Sequence, residues 1–311
     1  MKLASRFSLA VAVAATLGFS ATAKAADGQG KPEVIHHRVN DQAQAGSGYA
    51  PTFGSTSALG ARNKLSYHGG PVFGTPTVYV IWYGNWAQSN GTDNASGQQI
   101  IRDFFSAIGG SPYFKINDTY LGSATAITGN VTWSGKEANG GYTYGTALSD
   151  ANIQSIVADA INTGGLPSDA NGIYFVMTSS DVNESSGFCT QYCGWHTHGT
   201  IGGKSIAYAF IGNAARCITS CAAQSTSPNG NAGVDGMISV SAHELEEATT
   251  DTNAGWYARS GSENGDDCAW TFGATYQTSN GSYANMKLGT RDFLIQRNVK
   301  MLSNGQYCEL Q

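Results

Sequence analysis

The residues best suited to chemistry lie in Ser241-Ala242-His243-Glu244-Leu245-Glu246-Glu247, which contains the pattern H-E-x-x-E. Residues four apart on a helix project from the same face, so His243 and Glu247 can grip one metal ion while Glu244 sits beside it. This is the zinc-protease H-E-x-x-H pattern with a carboxylate as its second ligand. Downstream comes Glu263-Asn264-Gly265-Asp266-Asp267-Cys268, at about the separation where metal proteases with a distant third ligand place a Glu. Glu263 or Asp266 would complete the metal shell, and Glu244 would be the general base that takes a proton from metal-bound water. The reaction would be hydrolysis of an amide or ester.

Three considerations pull against that chemistry. Two carboxylates and one imidazole nearly cancel a divalent charge, so bound water would be less acidic than at an all-histidine zinc site. Zinc is the first choice of metal, but oxygen-rich ligation also admits calcium or manganese in a structural role. The same spacing also suits a solvated surface helix, because Ile238, Ala242, Leu245, Ala248 and Thr249 form one stripe with His243 and Glu247 opposite it. A second cluster, Cys193-Gly194-Trp195-His196-Thr197-His198, places two histidines on one face if extended. His196 would then be a further ligand or a hydrogen-bond donor to a transition state, and the alternative is a turn beside a disulfide with exposed histidines. His36-His37 reads as solvated linker. No G-x-S-x-G elbow, phosphate-cradling loop or dinucleotide fingerprint is present.

The elements that must position these residues can be read from periodicity. Val78-Tyr79-Val80-Ile81-Trp82-Tyr83 is β-branched and aromatic throughout, as expected of a strand buried on both faces. Ile100, Ile101, Phe104, Phe105 and Ile108 predict a helix over about 98–108, closed by Gly109-Gly110. Ser149 is a good N-cap for a helix carrying Ile153, Ile156, Val157, Ala160 and Ile161, which should stop at Gly164-Gly165. Further strands are predicted at 173–178, 206–211 and Phe293-Leu294-Ile295-Gln296, with the motif helix beginning after Asp235. The mixed order predicts one α+β (or α/β) domain over 67–311, a mixed sheet with packed helices. Residues 26–66 are polar and lack either periodicity, so they read as a flexible leader with order beginning near His68.

The first residues carry Lys2 and Arg6, an apolar run from Leu9 to Phe19, and Ala23-Lys24-Ala25. This is the form of a cleavable secretory signal over 1–25, which implies a secreted, extracellular or periplasmic protein. The alternative, a membrane anchor, needs a longer apolar run. Of 17 basic residues three lie in that segment and none of the 22 acidic ones do, leaving 14 against 22 and a formal charge of −8. Such a balance argues against nucleic acid or an anionic membrane as partner. The six cysteines at 189, 193, 217, 221, 268 and 308 read as three disulfides. Local proximity favours Cys189–Cys193, Cys217–Cys221 and Cys268–Cys308, with a zinc site on the two C-x3-C pairs as the competing reading.

Taken together, His68-Gly-Gly-Pro-Val72, Val78 to Trp86, Phe188-Cys189 with Cys193-Gly-Trp-His196, Gly233-Val-Asp-Gly-Met237, Ala242-His-Glu-Leu-x-Glu247 and Phe293-Leu-Ile-Gln296 resemble the EXORDIUM family, also called phosphate-induced protein 1. The resemblance runs from about residue 68 to Cys308. It implies an exported protein of the kind found in the plant cell-wall space and linked to growth. The family's H-E-L-A-E helix and E-x-x-D-x-C segment look like a metalloprotease core, here at His243, Glu244, Glu247, Glu263, Asp266 and Cys268. Thr252 stands where the family has proline, and Asn264-Gly265 replaces an apolar pair, which predicts a looser loop. Two functions follow: a metal-dependent peptidase or other hydrolase acting on a peptide, or a non-catalytic extracellular protein whose surface aromatics contact a glycan or another cell-wall partner.

Overall fold

In the computed structural model, residues 58–60 and 62–311 are described, together with the short strand Glu33–Val34. The predicted signal over 1–25 and most of the predicted leader lie outside the described residues. Two parts of the leader do carry structure. Glu33–Val34 pairs antiparallel with the segment containing His196, and Leu65–Tyr67 pairs antiparallel with Trp256–Ala258.

The core is a six-stranded sheet in the order Glu33–Val34, Gly194–Ile201, Lys204–Ile211, Gly172–Thr178, Thr77–Tyr83, Thr132–Gly141. The last four are mutually parallel, and Gly194–Ile201 runs antiparallel to its hairpin partner. The predicted mixed sheet with packed helices is therefore present. The 78–83 run forms its centre because side chains on both faces meet helices or neighbouring strands, and Val78, Val80, Ile81 and Tyr83 are fully buried. Helix Ala95–Ile108 crosses from the central strand to Thr132–Gly141, and Asp150–Asn162 crosses back to Gly172–Thr178. The former begins earlier than its apolar stripe because the Asn94 side chain accepts from the Gly97 amide. Ser149 and Asn152 cap the latter reciprocally.

Three expectations need correction. The disulfides join Cys189 to Cys217 and Cys193 to Cys221; only Cys268–Cys308 matches local proximity. Cys217 caps a single helical turn, Ile218–Cys221, and side chains four apart there project to one side. Each sulfur thus meets the facing segment in place of its local neighbour, which also removes the zinc reading of the C-x3-C pairs. Second, Phe293-Leu294-Ile295-Gln296 is not a strand: pairing covers Arg291–Phe293 only. Beyond it, side chains replace the ladder. Asn285 bonds both the amide and the carbonyl of Ile295, at 3.0 and 2.7 Å, and Gln296 Oε1 accepts from the Trp270 amide at 2.6 Å. An apolar run can be buried without a strand when polar neighbours satisfy its backbone.

Third, the motif helix is not a surface helix. It spans Ala232–Thr250, and every residue from Gly233 to Thr250 is buried. Asn231 caps it by accepting from the Val234 amide. One face packs on the Gly194–Ile201 and Lys204–Ile211 hairpin, and Ala95–Ile108 lies against another. Close approach to the hairpin requires Gly194, where a Cβ would stand 2.5 Å from Val240 Cγ1 and 2.8 Å from the Phe210 carbonyl oxygen. Among the described residues no helix is long and apolar enough to cross a membrane.

Beside the two crossed disulfides, Glu184 is buried against Tyr192 and Ser186, and its Oε1 has no hydrogen-bond partner. Desolvation, helped by the Asp150 charge and opposed by bonds from Ser186, pushes its carboxyl up to about 7. A carboxyl raised in the folded state binds its proton more tightly there than when unfolded. The associated stability is therefore complete below about pH 4.5 and is lost as pH rises through about 7. We predict that the melting temperature falls over this window, by no more than about 3 kcal/mol in free-energy terms. Glu184→Gln should flatten that part of the profile in parallel thermal melts, and an unchanged profile would reject the assignment.

Candidate metal centre

Three segments build the site. The helix supplies His243, Glu244 and Glu247; the antiparallel strand Gly194–Ile201 supplies His196; and the turn 263–266 supplies Glu263 and Asp266. The turn is held by the Asp266 side chain, whose Oδ2 accepts from the Glu263 amide at 2.9 Å. Cys268–Cys308 ties the following 3-10 turn to the last strand. All six side chains that the motifs single out converge there, and none exposes more than 8% of its side chain.

Their contacts divide the two candidates for the third ligand. His243 Nε2 lies 2.8 Å from Glu247 Oε1 and 3.8 Å from Asp266 Oδ1. Glu263 sits against the other imidazole, its Oε2 3.4 Å from His196 Nε2. Glu247 joins the two halves, for its Oε2 is 3.6 Å from His196 Nδ1. Glu244 Oε2 is 3.1 Å from the same nitrogen, and Glu244 Oε1 has no hydrogen-bond partner. His196 Nε2 also lies 3.4 Å from the Asp251 carbonyl oxygen. His198, on the same strand face, stays outside this cluster, and burial lowers its pKa.

The donor set fits a metal. Ligand atoms about 2.0–2.1 Å from one tetrahedral zinc lie roughly 3.3 Å apart, and the separations of His243 Nε2 from Glu247 and Asp266 straddle that value at 2.8 and 3.8 Å. The donor atoms of His243, Glu247 and Asp266 all lie within 4.8 Å of one another, as do those of His196, Glu244 and Glu247. Four carboxylates face two imidazoles, so the cluster carries excess negative charge unless it binds protons or a cation. Burial lowers the pKa of His196, but the charges of Glu263 and Glu244 outweigh it and raise the group well above its ordinary value. Burial raises Glu263 well above the usual carboxylate range against the pull of His196, and it also raises Glu244 above its ordinary value.

The loop expected to be looser is packed. Asn264 is fully buried, and the Gly265 amide donates to Glu247 Oε1 at 3.1 Å. A Cβ on Gly265 would fall 2.8 Å from Cγ, Cδ2 and Cε1 of the His243 ring, so that residue is glycine because the turn lies on the imidazole face. Thr252, at the proline position of the resemblance, donates from its hydroxyl to the Ala248 carbonyl at 3.0 Å and closes the helix. Sequence reasoning missed Glu246, which is also fully buried. At about 100° per residue it falls between the apolar stripe and His243, a signal that was legible. We predict that Gly265→Ala costs about 1–3 kcal/mol in denaturant unfolding by crowding the His243 ring, whereas Gly60→Ala, where a Cβ meets nothing within 4 Å, leaves stability unchanged. Equal stability of both variants would contradict this packing.

Comparison with known proteins gives one consistent answer. The model of the phosphate-induced protein 1 conserved region matches residues 65–291. Protein EXORDIUM-like 3 of Arabidopsis thaliana is 36% identical over 225 residues, which cover 63% of this chain and 64% of the relative. Protein EXORDIUM-like 5 of the same plant is 30% identical over 277 residues, 75% of this chain and 74% of the relative. Protein PHOSPHATE-INDUCED 1 of Nicotiana tabacum is 29% identical over 211 residues, 56% of this chain and 60% of the relative. The chain thus spans a little under two thirds of the length of EXORDIUM-like 3. No solved structure matches it. With the motifs in order, the fold continuous across them and the matched region covering most of the described residues, the chain belongs to the phosphate-induced protein 1, or EXORDIUM, family.

Proposed function

We propose that this is a non-catalytic extracellular protein of the EXORDIUM type, which binds a glycan or another cell-wall component and whose imidazole–carboxylate cluster is a structural centre for a divalent ion. The cover over the cluster carries this reading: five of its six residues are buried, and the side chain of the sixth, Asp266, is only 8% exposed. A hydrolytic centre must admit a substrate carbonyl and a free base, whereas Glu244 is engaged by His196 beneath the 263–266 turn. The three disulfides suit an oxidising compartment. A growth-related role is what the family resemblance implies.

His243, Glu247 and Asp266 would hold the ion, and the mixed nitrogen and oxygen donors favour zinc over calcium. When bound, the ion would neutralise buried carboxylate charge and join the helix to the turn. His196 orients Glu244 and Glu263, one on each ring nitrogen. The surface offers aromatic platforms of the kind that stack on sugar rings. Tyr142 and Tyr276 are 41% and 42% exposed, and each ring is fixed by a hydroxyl bond to a carboxylate, Asp181 at 2.6 Å and Asp292 at 2.8 Å.

Elemental analysis of protein purified without chelator should find one zinc per chain, lost on Glu247→Gln together with a fall in melting temperature. Zinc-loaded protein should cleave casein no faster than Glu244→Gln. Cleavage that disappears in a folded Glu244→Gln variant would instead establish a metallohydrolase. Retention on cell-wall polysaccharide should fall severalfold in Tyr142→Ala/Tyr276→Ala, while retention equal to that of the unaltered chain would reject those rings as the contact.

A further inference from the structure

The parallel strands end nearly level, with Tyr83 opposite Gly141 on one side and Thr178 on the other. From Thr77–Tyr83 the chain steps one strand outward to Thr132–Gly141, then two strands back to Gly172–Thr178. Right-handed crossovers made in opposite directions put their helices on opposite faces of the sheet. The carboxyl ends of Thr77–Tyr83 and Thr132–Gly141 therefore form a topological switch point, the place where open parallel sheets bind ligands. No residue of the His243 cluster belongs to the loops there. Tyr142, the first residue past Gly141, is 41% exposed, and its hydroxyl donates to Asp181 Oδ2 at 2.6 Å. The Asn85 backbone lies beside the same hydroxyl. Gln88 ties these loops together, its Nε2 donating to the Asn85 carbonyl at 3.0 Å, Asp181 Oδ1 at 3.1 Å and Asp93 Oδ2 at 3.2 Å.

These bonds leave one acceptor and one donor unused. With Gln88 Nε2 committed to three acceptors, its Oε1 has no partner among the described residues. Asn85 Oδ1 accepts from the Ala87 amide at 2.9 Å, and among the described residues its Nδ2 has no partner. A hydroxyl donates and accepts at once, so a sugar hydroxyl can satisfy both amides, beside an exposed ring whose apolar face suits the C–H side of a sugar. The charge there argues against phosphate, the usual guest of such a sheet. Asp93 and Asp181 outnumber Arg216, which donates to the Ser180 carbonyl at 3.4 Å. The helix starts at this end are also already capped, by the side chains of Asn94 and Asn231. We infer that this switch-point face binds a neutral saccharide, with Tyr142 stacked on one ring and Asn85 and Gln88 holding a hydroxyl. The inference rests on the glycan-binding reading and assigns the contact to Tyr142 in place of Tyr276.

Neutral oligosaccharides from hydrolysed cell wall, freed of the uronic-acid fraction by anion exchange, are the probe. In calorimetric titration of the full chain, their affinity should fall about tenfold or more in Tyr142→Ala. It should fall severalfold in Asn85→Ala and stay as in the unaltered chain in Tyr276→Ala. Tyr142 and Asn85 are exposed, so these variants should melt with the unaltered chain. Tyr142→Phe keeps the ring and should bind more tightly than Tyr142→Ala. Full affinity in Tyr142→Ala and Asn85→Ala, with loss in Tyr276→Ala, would overturn this site and leave the glycan reading standing. Binding confined to the uronic-acid fraction would overturn the neutral class. Absence of binding to both fractions would overturn the site and the glycan reading together.

Discussion

The structure turns on the burial of a helix that carries charge on more than one side. His243, Glu244, Glu246 and Glu247 are all at or near zero exposure, and ionised carboxylates in a low-dielectric interior need a proton, a cation or several donors to persist. The surrounding architecture supplies part of that compensation. His196 reaches in from the sheet, the Gly265 amide comes from a turn, and the two imidazoles share the four carboxylates of the first cluster. What remains is a surplus of carboxyl groups over imidazoles, which calls for protons or a cation in a site with the dimensions of a coordination shell.

The rest of the fold serves to hold the three contributing segments at that helix. The parallel core gives a rigid floor, and its antiparallel extension delivers His196 on a strand whose neighbour, Gly194, lets the helix approach. Two crossed disulfides fasten the segment before that strand to the turn preceding the helix. A third fastens the segment after Asp266 to the C-terminal hairpin. Each covalent link thus lies next to a part of the site, where it restrains the separation of ligands that are remote in sequence.

Family membership and geometry carry different weight. The matched region and the ordered motifs establish kinship with EXORDIUM-like proteins, while the cluster's chemistry is argued from distances alone. The H-E-x-x-E spacing is shared with hydrolytic metal centres, but a metal ligand set is also a means of stabilising a buried acidic helix. Here the covered side chains and the engagement of Glu244 by His196 are what the proposed non-catalytic reading rests on.

The sequence alone determined the periodic elements: the central strand from its unbroken β-branched and aromatic run, the crossover helices from their stripes and caps, and the pairing of His243 with Glu247 from their helical spacing. Each depends on residues close together in the chain, so local geometry suffices. It did not determine the environment of the motif helix, because an apolar stripe opposite an acidic face is equally the signature of a solvated surface. Nor did it determine the disulfide crossing or the division of Asp266 to His243 and Glu263 to His196. Those were decided by tertiary packing, since they depend on which segments meet one another, and contacts between residues 23 to 67 positions apart leave no periodic trace in the chain.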